Sequence, residues 1–340
     1  MRTDPALERL LRSEEPSIRW KARVGVLGES SDSRRIQRLQ AEIRRSPRVR
    51  ALLTRRRILG RPGTSRALYY KWQGLHWALA RLADIGYPAG DRELHPIRDR
   101  LLEYWLRADY YKEFRPSTKA AAYRGKGVPR MRGRYRRCAS QQGNALHYLT
   151  KLGLDDGRCA DLVERLLHWQ WPDGGWNCDR DPAAAVSSFH ETLLPMRGLA
   201  AYTQVHRAPD VARAARTAGE VFLRRGLYRR LSDGTVMRPE FVRLHYPSYW
   251  HYDVLAGLTG MAELGGIRDQ RCGDALDLLE RKRLRDGGWP AEAKFYKVRP
   301  NQFVDGGEFV DWGPAGSRRS NPWVTAEAMS VLRATGRLVL

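Results

Sequence analysis

Apolar residues recur at steps of three and four along most of the chain, which is the spacing of amphipathic α-helices. Convincing strands with strict alternation of apolar and polar residues are absent. The helical segments come in pairs joined by short loops, as in antiparallel helical hairpins. The pattern therefore predicts an all-α fold.

The predicted helices fall into two classes. One member of each pair carries small residues and leucine on faces that need close packing on both sides, and the other is half apolar and half charged. Candidate inner helices cover 16–28, 68–86, 138–153, 188–206, 248–265 and 321–337. Candidate outer helices cover 4–12, 32–56, 91–107, 156–171, 209–226 and 270–283.

Six inner and six outer helices predict an (α/α)6 toroid, a closed double ring of helical hairpins around a central cavity. Residues 1–340 then form a single domain, in which the helices of 1–65 close the ring and 66–337 supply the repeats. An open solenoid of the same units is the structural alternative.

A short motif punctuates this helical pattern twice. Gln170 to Trp176 reads Gln-Trp-Pro-Asp-Gly-Gly-Trp, and a weaker copy, Arg-Leu-Arg-Asp-Gly-Gly-Trp, covers Arg283 to Trp289. The glycines allow a tight turn after an outer helix, the final tryptophan covers the turn, and the glutamine can satisfy exposed backbone groups. We therefore expect a structural role for the motif.

The first copy matches the glutamine–tryptophan repeat of squalene and oxidosqualene cyclases. The chain resembles bacterial squalene-cyclase-like proteins, relatives of the terpenoid cyclases and of protein prenyltransferase β-subunits. Cys178 to Thr192 and Tyr249 to Leu255 are similar to the approaches to inner helices in such proteins. The resemblance covers most of 66–337 and implies an (α/α)6 toroid with a largely apolar central cavity. It leaves the activity open, because the superfamily includes several chemistries.

Composition sets further bounds on function. The formal net charge is +23, mostly from arginine, which fits either a general arginine bias or an electropositive surface for an anionic partner such as nucleic acid. No zinc finger or RNA-binding signature is present. The glycine-rich basic run at 124–137 has the character of a loop that wraps an anionic group. The four cysteines are too few for a disulfide scaffold.

The resemblance implies a test for terpene cyclisation, because those cyclases protonate an alkene with the central aspartic acid of a D-x-D-D motif. Aligned on Thr192, that position reads Ser-Phe-His-Glu, at 188–191. Asp179 to Pro182 is acidic but lies in the preceding loop. The motif is absent, so the sequence does not support standard squalene cyclisation.

Acid–base chemistry without a metal is a second expectation. His190 and His251 start two inner helices, and Glu191 and Asp253 are placed to orient or charge them. The expected substrate contacts are Lys71, for an anionic group, and Tyr70, Trp72, Trp250 and Trp323. Glu191 alternatively completes a capping box with Ser188, and aromatic core packing is the other explanation for the tryptophans. Pro195 either belongs to the first turn of its helix or kinks it near His190.

A zinc site is the third expectation. Protein prenyltransferase β-subunits bind zinc through an aspartate, a cysteine and a histidine at inner-helix starts. Here the corresponding candidates are Cys138 and Cys178, together with His190 or His251. The alternative is that both cysteines are buried thiols.

The preferred interpretation is an enzyme that acts on a hydrophobic or isoprenoid-like small molecule, which can carry an anionic group such as a diphosphate. A zinc-dependent prenyltransferase-like enzyme, a non-catalytic ligand-binding protein and a basic nucleic-acid-binding repeat protein are the alternatives. The sequence contains no run long enough for a membrane span and no N-terminal signal peptide, so the cytoplasm is the expected location.

Overall fold

A computed structural model describes residues 4–54 and 68–338, and within these the chain is mostly helical, as the periodicity predicts. The helices are α1 Pro5–Leu11, α2 Pro16–Trp20, α3 Arg34–Arg45, α4 Pro47–Thr54, α5 Leu75–Asp84, α6 His95–Trp105, α7 Lys119–Arg124, α8 Ala139–Lys151, α9 Arg158–Trp169, α10 Phe189–Val205, α11 Pro209–Leu223, α12 Val254–Glu263, α13 Gly273–Arg281 and α14 Pro322–Thr335. A π-helix, Lys21–Val26, continues α2. Short 3-10 turns cover Arg92–Leu94, Ala108–Tyr110, Pro239–Val242 and Gln270–Cys272.

Helices α1 and α14 start with an N-cap residue followed directly by proline, Asp4-Pro5 and Asn321-Pro322. The Asp4 side chain accepts a hydrogen bond from the Ala6 N–H (2.9 Å) ahead of Pro5. Asn321 accepts from the Trp323 and Val324 N–H groups (2.9 and 3.2 Å) ahead of α14. These caps satisfy N–H groups that have no partner inside the helix.

Three predicted boundaries differ from the structure. The single helix expected over 32–56 is two helices, because α3 ends before Ser46, whose hydroxyl accepts from the Val49 N–H (3.2 Å) and starts α4. Residues 55 and 56 lie outside the described part. The helix expected over 68–86 is interrupted, since 68 and 69 are helical, 70–74 are not, and α5 begins at Leu75. The helix expected from 248 begins later, at Val254, after an irregular segment. Asp253 fixes the second start, since its carboxylate accepts from the Ala256 N–H (2.7 Å).

The described ranges contain five short strands where the sequence predicts none. β1 (Glu113–Phe114) pairs in parallel with β2 (Val128–Met131), which pairs in antiparallel with β3 (Arg134–Tyr135). β4 (Lys297–Val298) and β5 (Gly307–Glu308) form a separate parallel pair. The basic run at 124–137, expected as a loop, therefore contains the β2–β3 hairpin. These strands are too short to produce a clear alternation in the sequence.

The chain divides into two compact units. The central unit is Gly90–Arg224, and the discontinuous unit combines Met1–Ala89 with Arg225–Leu340. In the central unit, α8 packs on α10, α9 packs on α8, and α11 packs on α10. In the discontinuous unit, the π-helix packs on α14, and α14 packs on α12.

The π-helix joins the two chain ends within the discontinuous unit. The Lys21 ammonium lies 2.9 Å from an Asp84 carboxylate oxygen, at the end of α5, and 3.1 Å from a Glu327 oxygen on α14. A Cβ at Gly25 would press on Ser330, so the helices approach closely there. The order α5, π-helix, α14, α12 is the order of inner helices that the ring predicts, and so is α8 next to α10. Closure of a toroid stays a prediction.

The first glutamine–tryptophan motif forms the turn that its sequence predicts. The Trp171 N–H donates to the Gly175 carbonyl (2.8 Å), and Gly174 takes a left-handed conformation (φ +104°). Gln170 donates to the Gly174 and Ala214 carbonyls (2.6 and 3.0 Å). Trp176 is buried, and its ring N–H donates to a carbonyl of α9 (2.9 Å). The structural role of the motif is thus confirmed.

None of the helices in the described ranges has the length and apolar character that crossing a bilayer requires.

Candidate functional site

Helices α8 and α10 approach each other unusually closely in the central unit. A Cβ at Gly143 would collide with the backbone of Pro195, and a Cβ at Gly198 would collide with the Gly143 carbonyl oxygen. The absence of side chains at these glycines lets the two backbones meet. The N-terminal ends of the helices, which carry Cys138 and Glu191, are consequently neighbours.

A third segment reaches the same point. Arg136, just before α8, forms a parallel β-bridge with Asn177, which follows the first glutamine–tryptophan turn. The next residues on the two segments therefore run side by side. This register places Cys178 beside the start of α8, where Cys138 is the N-cap residue.

Cys138, Cys178 and Glu191 form one cluster. One donor atom from each, two thiol sulfurs and a carboxylate oxygen, lies within 4.8 Å of the other two. The Cys178 Sγ is 3.6 Å from Glu191 Oε1. The other carboxylate oxygen, Glu191 Oε2, accepts a hydrogen bond from the Ser140 N–H in the first turn of α8 (3.1 Å). This bond holds Oε1 towards the sulfur.

The spacing fits one tetrahedral metal ion. With Zn–S bonds of about 2.3 Å and a Zn–O bond of about 2.1 Å, tetrahedral angles separate sulfur from oxygen by about 3.6 Å. The observed distance between Cys178 Sγ and Glu191 Oε1 is 3.6 Å. The same geometry separates two zinc-bound sulfurs by about 3.8 Å, within the 4.8 Å limit of the cluster. Two thiolates and a carboxylate suit Zn²⁺ better than the hard cations Mg²⁺ and Ca²⁺.

The metal-free cluster keeps its proton on sulfur. Hydrogen bonding with Cys138, then burial, then the Glu191 carboxylate raise the pKa of the Cys178 thiol above its usual range. Proton loss from two thiols beside a carboxylate would leave three negative charges together, which is unfavourable without a cation. A divalent metal ion would neutralise most of that charge.

Arg137 supplies a neighbouring positive charge. Its guanidinium lies 4.1 Å from the centre of the Tyr110 ring, and burial lowers its pKa although the nearby Cys138 raises it. With the Gln142 amide in the orientation that satisfies both of its ends, that side chain accepts from Arg137 and donates to the Cys138 carbonyl (3.3 Å each). Arg137 is thus held where it offsets the excess negative charge of a thiolate pair.

Glu191 makes contacts that the sequence does not predict. Its carboxylate contacts Ser140 and Cys178, and the Ser188 side chain makes no capping hydrogen bond, so the capping box does not form. His190 is half-buried beside it at the start of α10. Pro195 lies inside the helix, which continues on both sides of it, rather than in its first turn.

Asp253 likewise has another partner than the expected His251. Its carboxylate lies 2.8 Å from His245 Nδ1 and accepts from the His245 backbone N–H (2.9 Å). Although burial opposes the charged imidazole, Asp253 raises the pKa of His245. His245 Nε2 is buried with no hydrogen-bond partner in the described part of the chain. His245 was not among the residues predicted from the sequence. The prediction considered residues at helix starts, and His245 precedes α12 by nine residues.

His251 packs among aromatic rings in the discontinuous unit. It stacks on Phe295, with ring centroids 3.9 Å apart, and meets Trp72 edge-on at 5.4 Å. The predicted convergence of His190 with His251 stays a prediction, because the two lie in different units. On α5, burial lowers the pKa of His76 to about 3, so this imidazole is neutral at neutral pH.

The expected substrate contacts divide into buried and accessible side chains. Trp72 is 3% exposed, stacks on Tyr249 at 4.5 Å, and donates its ring N–H to a backbone carbonyl. Trp323 is 2% exposed and stacks on Tyr246 at 5.1 Å. Lys71 is exposed and lies over the rings of Trp72 and Trp250 (5.6 and 5.7 Å), and Tyr70 and Trp250 are half-buried. Trp72 and Trp323 are thus packed among other rings, and their role as substrate contacts stays a prediction.

A buried charge network was also not predicted from the sequence. Besides Lys21, Asp84 contacts the Tyr246 hydroxyl and lies 3.5 Å from Arg81. Burial by itself would raise the pKa of Asp84, but Lys21 and Arg81 hold it well below its usual range. Most of these partners are far apart in sequence, so no local pattern reveals them.

No family model, curated protein or solved structure matches this chain.

Proposed function

We propose that the chain is a zinc-dependent enzyme whose metal is held by Cys138, Cys178 and Glu191. The observation that carries the proposal is the convergence of these three donors, from three separate segments, at the spacing of a tetrahedral ion. Structural zinc sites use four protein ligands, whereas catalytic sites use three and keep a position for water or substrate. Within the described residues the cluster has three.

Accessibility supports a catalytic rather than a structural ion. Both cysteines are half-buried residues, whereas Glu191 is buried, so the cluster lies between the core and the surface. When bound, zinc supplies a Lewis acid at its open position. His190, adjacent to Glu191 and half-buried, is the candidate general acid or base beside it.

The proposed scaffold is the (α/α)6 toroid of the resemblance, and the proposed substrate is a small hydrophobic or isoprenoid-like molecule. The order of inner helices within each unit supports the scaffold. The cluster at the starts of α8 and α10 supports placing the reaction at one end of the proposed cavity. Acid–base chemistry at His251 remains part of the proposal.

The test is the metal content of purified full-length protein after dialysis against metal-free buffer. The expected result is about one equivalent of zinc per chain, which Cys138→Ala and Cys178→Ala each abolish. Co²⁺ substitution adds an independent readout, since thiolate-to-cobalt absorption reports how many sulfurs bind the ion. It should fall by half in either variant that still takes up cobalt.

Cys159→Ala is the matched control, because this buried cysteine of the central unit lies outside the cluster. It should keep a full equivalent of zinc. Less than about a tenth of an equivalent of any divalent metal in the unmodified protein would contradict the proposal. A disulfide between Cys138 and Cys178 that persists under reducing conditions would also contradict it.

A further inference from the structure

A basic pocket lies beside the β2–β3 hairpin of the central unit. It has a volume of about 480 Å³, within the range of small-molecule sites. Arg115, Arg130 and Arg132 line it, together with Ser117, Gly133 and Pro182. The pocket shares no residue with the metal cluster, so a ligand can bind here whether or not the metal is present.

The strand register explains why the arginines converge. Phe114 of β1 is opposite Pro129 of β2, in parallel, so the residues that follow them, Arg115 and Arg130, emerge side by side. Arg132 follows at the hairpin turn beyond β2. The guanidinium of Arg130 lies 5.4 Å from the Tyr135 ring centre, which restricts its movement.

The turn that presents Arg132 is strained. Arg132 and Gly133 are the two central residues between Met131 and Arg134, which pair with each other, and both have positive φ (+49° and +73°). This is the pattern of a type I′ turn, which favours Asn-Gly. An arginine in the left-handed region is uncommon and costs conformational energy. Strain of this kind often accompanies a binding role.

The positive charge of the pocket is not neutralised by neighbouring carboxylates. Among the described residues, Arg115, Arg130 and Arg132 form no ion pair with an acidic side chain. Asp181, next to the pocket residue Pro182, is directed to Lys119 (3.8 Å). Three unneutralised guanidinium groups around a cavity favour a ligand with two or more negative charges.

We propose that this pocket binds a phosphate or diphosphate ester with a small aliphatic part. Guanidinium groups bind phosphoryl oxygens in bidentate pairs, and three of them match the charge of a diphosphate. None of the described residues that line the pocket is aromatic, so it provides no surface on which a base would stack. Proline and methionine side chains supply the apolar contacts, which suits an aliphatic substituent better than a nucleotide.

The test is calorimetric titration of the full chain with inorganic pyrophosphate at fixed ionic strength. Arg115→Gln combined with Arg132→Gln should raise the dissociation constant by at least about 30-fold, because each removes a charge-assisted contact. The matched control combines Arg207→Gln with Arg216→Gln, two exposed arginines elsewhere in the same unit. It removes the same charge and should change the constant by less than about twofold.

A single variant separates binding from structure. Arg132→Asn places the preferred residue at the first central position of the turn, so the melting temperature should stay equal or rise by about 1–2 °C while pyrophosphate binding weakens about tenfold. A lower melting temperature with unchanged binding would overturn the assignment of Arg132.

Three outcomes would overturn the whole inference. The first is no binding of pyrophosphate at millimolar concentration, and the second is equal weakening in the pocket pair and the control pair. The third is a single-stranded RNA that binds more tightly than pyrophosphate and loses affinity in the pocket pair, since that result would assign the surface to nucleic acid.

Discussion

The two glutamine–tryptophan motifs lie in different units and form the same turn. Trp171 and Leu284 donate to the Gly175 and Gly288 carbonyls at the same distance (2.8 Å). The final tryptophans donate their ring N–H groups to carbonyls ten residues earlier, Trp176 to Leu166 and Trp289 to Leu279 (2.9 and 2.7 Å). Their backbone N–H groups donate to threonine hydroxyls of the helix that follows each motif, Thr192 of α10 and Thr325 of α14.

The chemistry near the two motifs differs although the turns agree. Cys178 lies two residues after the first motif, and Ala291 occupies that place after the second. Glu191 precedes the threonine of α10, and Val324 precedes that of α14. Cys138 is the N-cap residue of α8, and Asp253 has that position in α12. At these three matched positions, the central unit carries three side chains that could bind a metal ion, whereas the discontinuous unit carries only the carboxylate of Asp253, which is paired with His245.

The most severe test of the shared turn is to remove each tryptophan. Trp176→Ala and Trp289→Ala should each lower the free energy of unfolding by about 3–5 kcal/mol, because both rings are fully buried. Urea unfolding followed by circular dichroism would measure the loss. Trp250→Ala, at a half-buried site, is the control and should cost clearly less. If the free energy of unfolding falls for one tryptophan variant but not for the other, the two turns are not equivalent.

Converting the first repeat into the second tests the difference in chemistry. Cys178→Ala with Glu191→Val installs the residues of the second repeat. At a free zinc concentration of about 100 times the dissociation constant, zinc should stabilise the unmodified protein by about 2.7 kcal/mol and the variant not at all. Thermal or urea unfolding with and without zinc would measure this. If zinc stabilises both proteins equally, it binds at a site other than this cluster.

The threonines provide a smaller, matched comparison. Thr192→Val and Thr325→Val each leave the N–H of a buried tryptophan without its acceptor, at 3.2 and 2.9 Å respectively. Each should lower the free energy of unfolding by about 1–2 kcal/mol. Thr217→Val, at an exposed site on α11, should change it by less than about 0.5 kcal/mol. If Thr192→Val and Thr325→Val lower the free energy of unfolding no more than Thr217→Val does, the two hydroxyls do not stabilise the turns as proposed.

The smallest effect concerns pH at the second helix start. Asp253 raises the pKa of buried His245, so the folded state binds the proton more tightly than the unfolded state does. This stabilisation is fully present below the unfolded pKa of about 6.5 and is lost as pH rises through the higher folded value. The urea midpoint should therefore fall across that range, and His245→Gln should flatten the dependence. If the urea midpoint of His245→Gln depends on pH as it does in the unmodified protein, His245 is not the group responsible.

Most of the helices could be predicted from local patterns in the sequence. Caps such as Asp4 and Asn321, and turns such as the one at Gly174 and Gly175, depend on residues a few positions apart, so their geometry is readable from the chain. The starts of α5 and α12 were placed too early because apolar residues continue into the irregular segments before them. The β2–β3 hairpin was missed because its turn is Arg-Gly rather than Asn-Gly.

The candidate site was only partly readable for a related reason. Cys138 and Cys178 stand at helix approaches and were proposed together as ligands. Their third partner depends on the contact of α8 with α10 at Gly143, which brings Glu191 rather than a histidine to the sulfurs. The pairing of Asp253 with His245 and that of Lys21 with Asp84 depend on tertiary packing, and no spacing in the sequence encodes them.

The division of the chain also sets an order for its synthesis on the ribosome. The central unit is one continuous stretch, so it can acquire its core while the remaining residues are still being translated. Lys21 of the π-helix lacks its Glu327 partner on α14 until 306 more residues have been translated. Contacts between the part of the discontinuous unit before Gly90 and the part after Arg224 therefore form only after the central unit has been synthesised.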